Sequence, residues 1–231
     1  MTKSEHGTRA EAVYQELRGD ILAGRLRPGE RLKFPDLGAR YNAGVGAIRE
    51  ALARLVEQDL VRSQPHLGFH VVPLSADDLR ALTEARIELE GLLFRRSMQL
   101  GDMAWETGIV SSHYALERTP QHDPSDPDLV TDAWTKVHGE FHHALLAGSG
   151  NTKILNIALL MRDTAAVYQT WSQQQRLMSR RTVVAEHRNL MELALARNIE
   201  AGVAALSEHI SRTTEVLLAH LDLMSHEDAE A

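Results

Sequence analysis

Residues 42–72 read NAGVGAIREALARLVEQDLVRSQPHLGFHVV, and this stretch decides the fold of the first part of the chain. An apolar stripe of helical period runs through it: Ile48, Leu52, Leu55 and Val56. It predicts a helix that begins after the tight turn at 42–44 and ends near Asp59. Two short strand-like segments follow, at 60–64 and 69–72, so the helix leads into a β-hairpin.

The residues before this stretch predict two further helices. Val13, Leu17 and Ile21 recur every fourth position and indicate a helix over 10–23. The turn residues of GRLRPGERL end that helix, and FPDLGARY at 34–41 fits a short second one. The order of helix, helix, turn, helix and hairpin is that of a winged helix-turn-helix.

The rest of the chain reads as helix, and Pro73-Leu74-Ser75 is the predicted joint. Apolar periodicity of helical type recurs in segments near 75–100, 102–118, 128–147, 151–178, 180–197 and 199–225. Residues 117–128 contain three prolines and are predicted to be a loop. The predicted fold is therefore mainly α, with a winged helix-turn-helix at 1–74 and an all-α bundle of six or seven helices at 75–231.

Composition excludes several classes of protein. The chain has no cysteine, which rules out disulfides, thiolate metal sites and cysteine catalysis. It has no apolar run of membrane-spanning length and no signal peptide, so we expect a cytoplasmic protein without a membrane partner. The net charge of −7 is unevenly spread, because residues 1–73 carry 11 basic and 9 acidic residues. This less acidic segment suggests a separate role at a polyanion.

The first part of the chain resembles the DNA-binding domain of the GntR family of bacterial transcription regulators. The resemblance covers about 65 residues and is carried by PGERL at 28–32, by REAL at 49–52 with its leucine stripe, and by the pair Gly68-Phe69. It implies that the third helix enters the major groove of double-stranded DNA and that the hairpin reaches the adjacent minor groove.

The start of the third helix departs from the family pattern. Many members begin it with Ser-Arg-Thr, whereas this chain has Gly44-Val45-Gly46 and then Ala47. We therefore expect readout by Arg49, by backbone N–H groups and by DNA shape. A salt bridge from Arg49 to Glu50 or Asp36 is the alternative.

The predicted DNA-binding residues come from the helix-turn-helix and the hairpin. They are Arg40, Gly44, Gly46, Ala47, Arg49, Arg54, His66 and Gly68. For Arg40 and Arg54, a phosphate contact and an ordinary solvated charge remain equal alternatives. The hairpin has Leu67 where a basic residue is common in the family, so the operator sequence does not follow from these residues.

Histidines are concentrated in VHGEFHH at 137–143. His138 and His142 lie four residues apart and share a helix face, a spacing used by helical metal sites. His143 points elsewhere and is predicted to be a solvated or packing residue. His187 and His209 lie in apolar stripes, where a single histidine is more often a core residue than a ligand. Four such residues on three helices favour a metal site.

The second part of the chain resembles the FCD domain of FadR-type GntR regulators. The resemblance is carried by EARIELE at 84–90, FHHALLAGSGN at 141–151, EH at 186–187 and EHI at 208–210. Many FCD domains bind a divalent metal through one Asp and three His. The matching positions here are His138, His142, His187 and His209, with His138 in place of the usual Asp. The chain most resembles the subgroup tied to the catabolism of glutarate and related short-chain carboxylates.

Neutral imidazole ligands suit Zn²⁺, with Ni²⁺, Cu²⁺ or Fe²⁺ as alternatives. The resemblance also implies a small carboxylate effector, either a dicarboxylate or a hydroxyacid. We expect Arg86 to bind its carboxylate and Arg162 to line the same cavity. An ion pair between Arg86 and Glu90, four residues apart, is the alternative for Arg86.

These observations predict a ligand-responsive repressor that binds a pseudo-palindromic operator as a homodimer. A regulator that senses the metal alone and a regulator whose histidines bind nothing are two alternatives. A helical-bundle metalloenzyme is a third. The zinc-protease motif needs Glu directly after its first His, and Gly139 stands there instead, so we expect no enzymatic activity.

Overall fold

The computed structural model describes residues 3–171 and 180–230, which divide between two compact units. The first unit comprises the chain up to Ser75 together with Asp163–Trp171. The second comprises Ala76–Arg162 and the chain from residue 180 onward. Among the described residues, no helix has both the length and the apolar character that a membrane span requires.

The first unit begins with three helices and a small antiparallel sheet. Its elements are α1 (Lys3–Leu22), β1 (Arg31–Leu32), α2 (Phe34–Tyr41), α3 (Val45–Val56), β2 (Val61–Gln64) and β3 (Gly68–Val71). Strand β3 lies between β1 and β2. Strands β2 and β3 form the predicted hairpin, with Val61 opposite Val71, and β1 adds a strand that was not predicted. The winged helix-turn-helix is confirmed.

The predicted apolar stripes form the core of this unit. The residues of these stripes that are fully buried are Val13, Leu17, Ile21, Ile48, Leu52 and Leu55. Each such side chain contributes about 1.5–3 kcal/mol through burial. Asn42, at φ 47°, ends α2 in the left-handed conformation and turns the chain toward α3. Asp163–Trp171 belong to the same unit, where the Tyr168 hydroxyl lies 3.3 Å from the backbone of Ser75.

The second unit is built mainly from helices. They are α4 (Ala76–Leu100), α5 (Met103–Arg118), α6 (Asp132–Ala147), α7 (Thr152–Trp171), α8 (Arg180–Leu195) and α9 (Ile199–Glu230). Of α7, the residues up to Arg162 belong to this unit. Helix α4 packs along α9, and α5 packs against α6 and α8. Phe94 of α4 and Phe141 of α6 are completely buried in the shared core. The predicted helix over 151–178 is described as far as Trp171, and its last residues lie outside the described chain.

The predicted loop at 117–128 is wrong in part, because the chain forms a small hairpin there. Strand β4 (His122–Asp123) pairs with β5 (Asp126–Val130) in an antiparallel ribbon. Prolines are tolerated because each strand of a two-stranded ribbon has an unpaired edge. Thr131 follows the ribbon, and its hydroxyl accepts a hydrogen bond from the Trp134 N–H at 3.1 Å. The hairpin therefore leads directly into the capped start of α6, the helix that carries His138.

Gly101 joins α4 to α5 beside the indole of Trp105. A Cβ at this position would lie 2.3 Å from Trp105 Cε3 and 2.6 Å from the Ser97 carbonyl oxygen. We expect Gly101→Ala to lower the free energy of unfolding by about 1–3 kcal/mol, because the indole would have to move. Chemical denaturation followed by circular dichroism measures this change.

Gly139→Ala is the matched control for that measurement. Gly139 lies inside α6, where an added Cβ would meet no atom within 4 Å. This variant should gain up to about 1 kcal/mol, since alanine is the better helix former. Equal stability of the two variants would contradict the close packing around Trp105.

Candidate metal centre and nucleic-acid interface

Four histidines from three helices meet inside the second unit. Their ligand nitrogens all lie within 4.8 Å of one another: those of His138 and His142 on α6, His187 on α8 and His209 on α9. Nε2 of His142 is 3.2 Å from Nε2 of His138 and 3.2 Å from Nε2 of His187. His138 is half-buried and the other three are buried, whereas His143 is exposed. The structure therefore brings together the four predicted ligands and leaves His143 outside the cluster.

Aromatic contacts orient these rings. The indole of Trp134, one helical turn before His138, stacks on that imidazole with ring centroids 4.6 Å apart and planes 11° apart. The ring of Phe141 lies 5.4 Å from that of His187 and 5.5 Å from that of His142. Since these packed rings restrict the side-chain rotamers, the nitrogens are positioned by the fold itself.

Desolvation favours the neutral form of three of the rings. Burial lowers the pKa of His138, His142 and His187 well below the usual 6.5, and positive charge on neighbouring histidines and Arg162 lowers it further. A neutral imidazole has a free lone pair and is the form that binds metals. At neutral pH these rings therefore present ligand nitrogens rather than cations.

A divalent ion fits this set of donors. Nε2 of His142 faces two other Nε2 atoms, yet a neutral ring nitrogen is either one donor or one acceptor and can satisfy only one of them. Two nitrogens bound at about 2.0–2.1 Å to one tetrahedral ion lie about 3.3 Å apart. The observed separations of 3.2 Å are close to that value. The arrangement suits Zn²⁺, Ni²⁺, Cu²⁺ or Fe²⁺.

Glu186 contacts Nδ1 of His209, the ring nitrogen that points away from the cluster. Its Oε2 lies 2.7 Å from Nδ1 of His209, which leaves the other ring nitrogen for the cluster. Arg212 pairs with both Glu186 and Glu208. Burial raises the pKa of Glu186, but the hydrogen bond to His209 and the charge of Arg212 outweigh it, so the pKa is lowered. An ionised carboxylate in this place orients the ring and increases its basicity.

Two residues of the centre, Trp134 and Glu186, were not predicted as site residues. Trp134 lies four positions before His138, a spacing that places both on one helix face and was available as a signal. Glu186 precedes His187 directly but contacts His209 on another helix. No spacing in the sequence indicates that contact.

Arg86 and Arg162, the predicted effector residues, meet at one buried carboxylate. Nε of Arg86 is 2.7 Å from Oε1 of Glu90, and Nη1 of Arg162 is 2.9 Å from Oε2. Burial raises the pKa of Glu90, but the two guanidiniums outweigh it and hold the pKa below its usual 4.5. The alternative pair of Arg86 with Glu90 is therefore present, and Arg162 joins it. Both guanidiniums therefore share one buried carboxylate.

Glu90→Gln would remove the anion that two largely buried guanidiniums share. We expect a loss of about 3–5 kcal/mol in the free energy of unfolding at neutral pH. Because the folded state lowers the pKa of Glu90, its contribution is complete above the unfolded value near 4.5 and is lost as pH falls through the lower folded value. The free energy of unfolding of the variant should therefore fall less than that of wild type as the pH is lowered.

Urea unfolding at a series of pH values from about 3 to 7 measures both effects. Glu88→Gln is the control, because Glu88 is exposed on the same helix. If Glu90→Gln unfolded at the same urea concentration as Glu88→Gln, the buried ion triad would be refuted.

The first unit presents the predicted DNA-binding elements at its surface. Gly44 is the N-cap of α3 and makes no side-chain hydrogen bond to the first turn. Gly44 and Gly46 are exposed, and Ala47 is half-buried. At the turn of the hairpin, His66 and Gly68 are exposed and have left-handed φ values of 64° and 87°. These surfaces offer backbone groups and few long side chains.

Arg49 is the exposed cation in the first part of α3. Its guanidinium carbon lies 5.5 Å from the ring centroid of Phe34. In the described part of the chain it forms no ion pair with Glu50 or Asp36, the alternative considered for it. An anion that binds Arg49 would therefore not have to displace either of these carboxylates.

Arg40 and Arg54 differ from Arg49 because both pair with acidic residues of α1. Arg40 lies 2.6 Å from Asp20. Arg54 lies 2.5 Å from Glu11 and 3.7 Å from the ring centroid of Tyr14. Neither is an isolated solvated charge, and a phosphate contact by either would compete with its ion pair.

A winged helix-turn-helix joined in one chain to a helical unit with a buried ligand cluster defines a DNA-binding regulator. Residues 9–71 match the family described as bacterial regulatory proteins, gntR family, and residues 81–212 match the FCD domain. The chain therefore belongs to the GntR family of DNA-binding transcriptional regulators and carries an FCD domain.

Two relatives support the same assignment along most of their length. The chain is 36% identical over 212 residues to the HTH-type transcriptional regulator BphR of Paraburkholderia xenovorans, covering 90% of this chain and 84% of BphR. It is 30% identical to the HTH-type transcriptional repressor GlaR of Escherichia coli, covering 85% of this chain and 90% of GlaR. Both are regulators, so the expectation that the chain is not an enzyme is confirmed.

Solved structures show the same fold. A transcriptional regulator GntR from Rhodococcus sp. RHA1 has a TM-score of 0.74 at 20% identity, covering 92% of this chain and 98% of that one. Escherichia coli McbR/YncC has a TM-score of 0.74 at 17% identity, covering 96% of this chain and 100% of that one. At these identities the likeness establishes the fold alone.

Proposed function

We propose that this regulator represses genes of carboxylic-acid catabolism and responds to a small carboxylate effector through a bound divalent metal ion. The observation that carries the proposal is the meeting of four imidazoles inside a unit that also holds two largely buried guanidiniums. His138, His142, His187 and His209 would hold the ion. Zn²⁺ is the first choice, and Ni²⁺, Cu²⁺ and Fe²⁺ are the alternatives.

The bound ion supplies positive charge that attracts an anionic ligand. The four proposed ligands are neutral imidazoles, because His138 stands where many FCD domains have Asp. They would therefore leave the full positive charge of the ion in place. A dicarboxylate or hydroxyacid would bring carboxylate oxygens that pair with the positive charge of the bound ion. We propose this effector class from that pairing.

Arg86 and Arg162 are the residues that we propose to bind the effector carboxylate. Arg162 is among the charges that lower the pKa of His138, His142 and His187, so its positive charge acts on the cluster. A guanidinium has five N–H donors and can bind a second carboxylate while it holds Glu90. The two arginines can therefore take up an effector without giving up the buried anion.

We assign DNA binding to residues 1–74 and assign metal binding, effector binding and dimerisation to residues 75–231. Two copies would bind a pseudo-palindromic operator, one at each half-site. Arg49 would contact bases or phosphates. The residues that would add backbone and phosphate contacts are Arg40, Gly44, Gly46, Ala47, Arg54, His66 and Gly68. The description of GlaR as a repressor supports the proposed direction of regulation.

Metal content tests the centre directly. We expect about one divalent ion per chain in protein purified without a histidine tag, measured by elemental analysis. His142→Ala should lose most of that metal, because His142 lies closest to two other ligands. His143→Ala, a change at its exposed neighbour, should retain it. Wild-type protein that contains no bound metal would contradict the proposed metal site.

A gel-shift assay tests the regulatory function. The probe is the DNA upstream of the chain's own gene, challenged with a panel of C4–C6 dicarboxylates and hydroxyacids. We expect one compound to release the DNA from wild-type protein. His187→Ala should bind the probe normally but lose most of this response, because the effector would lack its metal anchor, and His143→Ala should respond as wild type does.

Other outcomes of the assay favour the alternatives. Release that follows free metal concentration with no organic compound present would identify a metal-sensing regulator. A normal response of His187→Ala to the carboxylate would contradict an effector site anchored on the metal.

A further inference from the structure

The turn between α2 and α3 sets the position at which α3 begins. Asn42 ends α2 with a left-handed φ of 47°, and its N–H donates to the Gly38 carbonyl oxygen. The N–H of Ala43 lies 3.2 Å from the same oxygen. Gly44 then begins α3 as its N-cap. Any change in the conformation of residues 42–44 would therefore move the first turn of α3.

The start of α3 has little local constraint of its own. A serine or aspartate at the N-cap would accept a hydrogen bond from an N–H of the first turn, and Gly44 has no side chain to do so. Gly46, the second residue of α3, adds another position of high backbone freedom. A Cβ at either glycine would meet no atom within 4 Å, so close packing does not hold them in place. The position of this turn therefore depends on contacts from elsewhere in the unit.

Arg9 of α1 supplies such a contact. Its Nη2 donates to the Tyr41 carbonyl oxygen and, at 2.8 Å, to the Asn42 carbonyl oxygen. These carbonyls lie at the C-terminal end of α2, where the helix offers no N–H partner and its dipole is negative. A guanidinium suits this place because it is always charged and has several N–H donors. Arg9 therefore joins α1 to the turn that precedes α3.

Other residues of α1 hold the helix-turn-helix on either side of this turn. The Tyr41 hydroxyl donates to Oδ2 of Asp20 at 2.7 Å, and the Tyr41 ring is buried. In the last turn of α3, Arg54 pairs with Glu11 at 2.5 Å. Helix α1 thus contacts the end of α2 and the end of α3, and Arg9 adds two hydrogen bonds to the turn itself.

We propose that Arg9 is a positioning residue for DNA binding, which fixes the turn before α3 in place of the missing N-cap side chain. Arg9 acts on the DNA through α3 and does not itself bind a phosphate. The inference rests on the proposed contact of α3 with the operator, and it adds a residue from outside the helix-turn-helix. It accounts for how a helix that begins Val45-Gly46 can present Arg49 at a defined position.

Operator affinity and its dependence on salt test this role. The probe is a duplex that the wild-type protein selects from a random-sequence library. Arg9→Gln should bind it about 10-fold more weakly, the loss expected when base contacts in each half-site are strained. The slope of log affinity against log salt should not change, whereas each lost phosphate contact would reduce it by about 0.9. Circular dichroism should show a fully folded variant, since Arg9 is exposed.

Arg27→Gln is the control for loss of charge, since Arg27 is an exposed residue of the same unit. This variant should bind the duplex within about 2-fold of wild type, because the charge of an exposed side chain is largely screened by salt. Wild-type affinity of Arg9→Gln, a reduced salt slope, or an equal loss in Arg27→Gln would each overturn the role of Arg9.

A serine at the N-cap distinguishes positioning of the turn from any other role of Arg9. Gly44 has the extended backbone of an N-cap, at φ −74° and ψ 157°, and space for a side chain, so Gly44→Ser should cap α3. In this background Arg9→Gln should lower the affinity by only about 2-fold, because two constraints on one turn are partly redundant. An undiminished loss in the Gly44→Ser background would also overturn the proposal.

Arg49→Gln separates this result from the proposed function. It should lower the affinity for the same duplex, because Arg49 is the proposed DNA contact in α3. Unchanged affinity of Arg49→Gln would contradict that contact and leave no basis for positioning α3 by Arg9. Weaker binding of Arg49→Gln beside wild-type binding of Arg9→Gln would keep the DNA contact and overturn the role of Arg9 alone.

Discussion

Four imidazole rings share one interior space, and for three of them, His138, His142 and His187, this position favours the neutral form. A proton on any of these three would lose hydration and would face neighbouring rings and the positive charge of Arg162. The surrounding charges are arranged around this requirement. Glu186 contacts the outer nitrogen of His209, and Glu90 pairs with both Arg86 and Arg162. The same neutrality that permits burial leaves the lone pairs available to a metal ion.

Part of this site could be predicted from sequence. Residues close together in one helix were predicted from their spacing, whereas contacts between residues far apart in the chain were not. His138 and His142 follow from helical spacing alone, as does the outward direction of His143. His187 and His209 required the apolar stripes of two other helices and the resemblance to a known domain. The contact of Glu186 with His209 depends on how α8 packs against α9, which no local pattern encodes. Side chains that support ligands from a neighbouring helix are therefore the part that sequence reasoning misses.

The fold was predicted closely where periodicity is strong. The stripes of α1 and α3 identified fully buried side chains, because a long amphipathic helix repeats its signal several times. Strands β1 and β4 have two residues each and repeat nothing, so they were not predicted. The prolines at 120, 124 and 127 suggested a loop, yet a two-stranded ribbon accommodates proline at its edges. The DNA-binding surface shows the same limit, since the pairing of Arg40 and Arg54 with α1 is a tertiary contact.

The stack of Trp134 on His138 gives the protein an optical probe of its own interior. One of only three tryptophans in the chain lies flat against an imidazole of the cluster, with 4.6 Å between ring centroids. Excited indole is sensitive to the electronic state of a ring in such contact. A paramagnetic ion such as Cu²⁺ would quench its emission, whereas Zn²⁺, with a filled d shell, would leave most of it intact. Intrinsic fluorescence would thus distinguish a paramagnetic ion from Zn²⁺ at the proposed site, without a label.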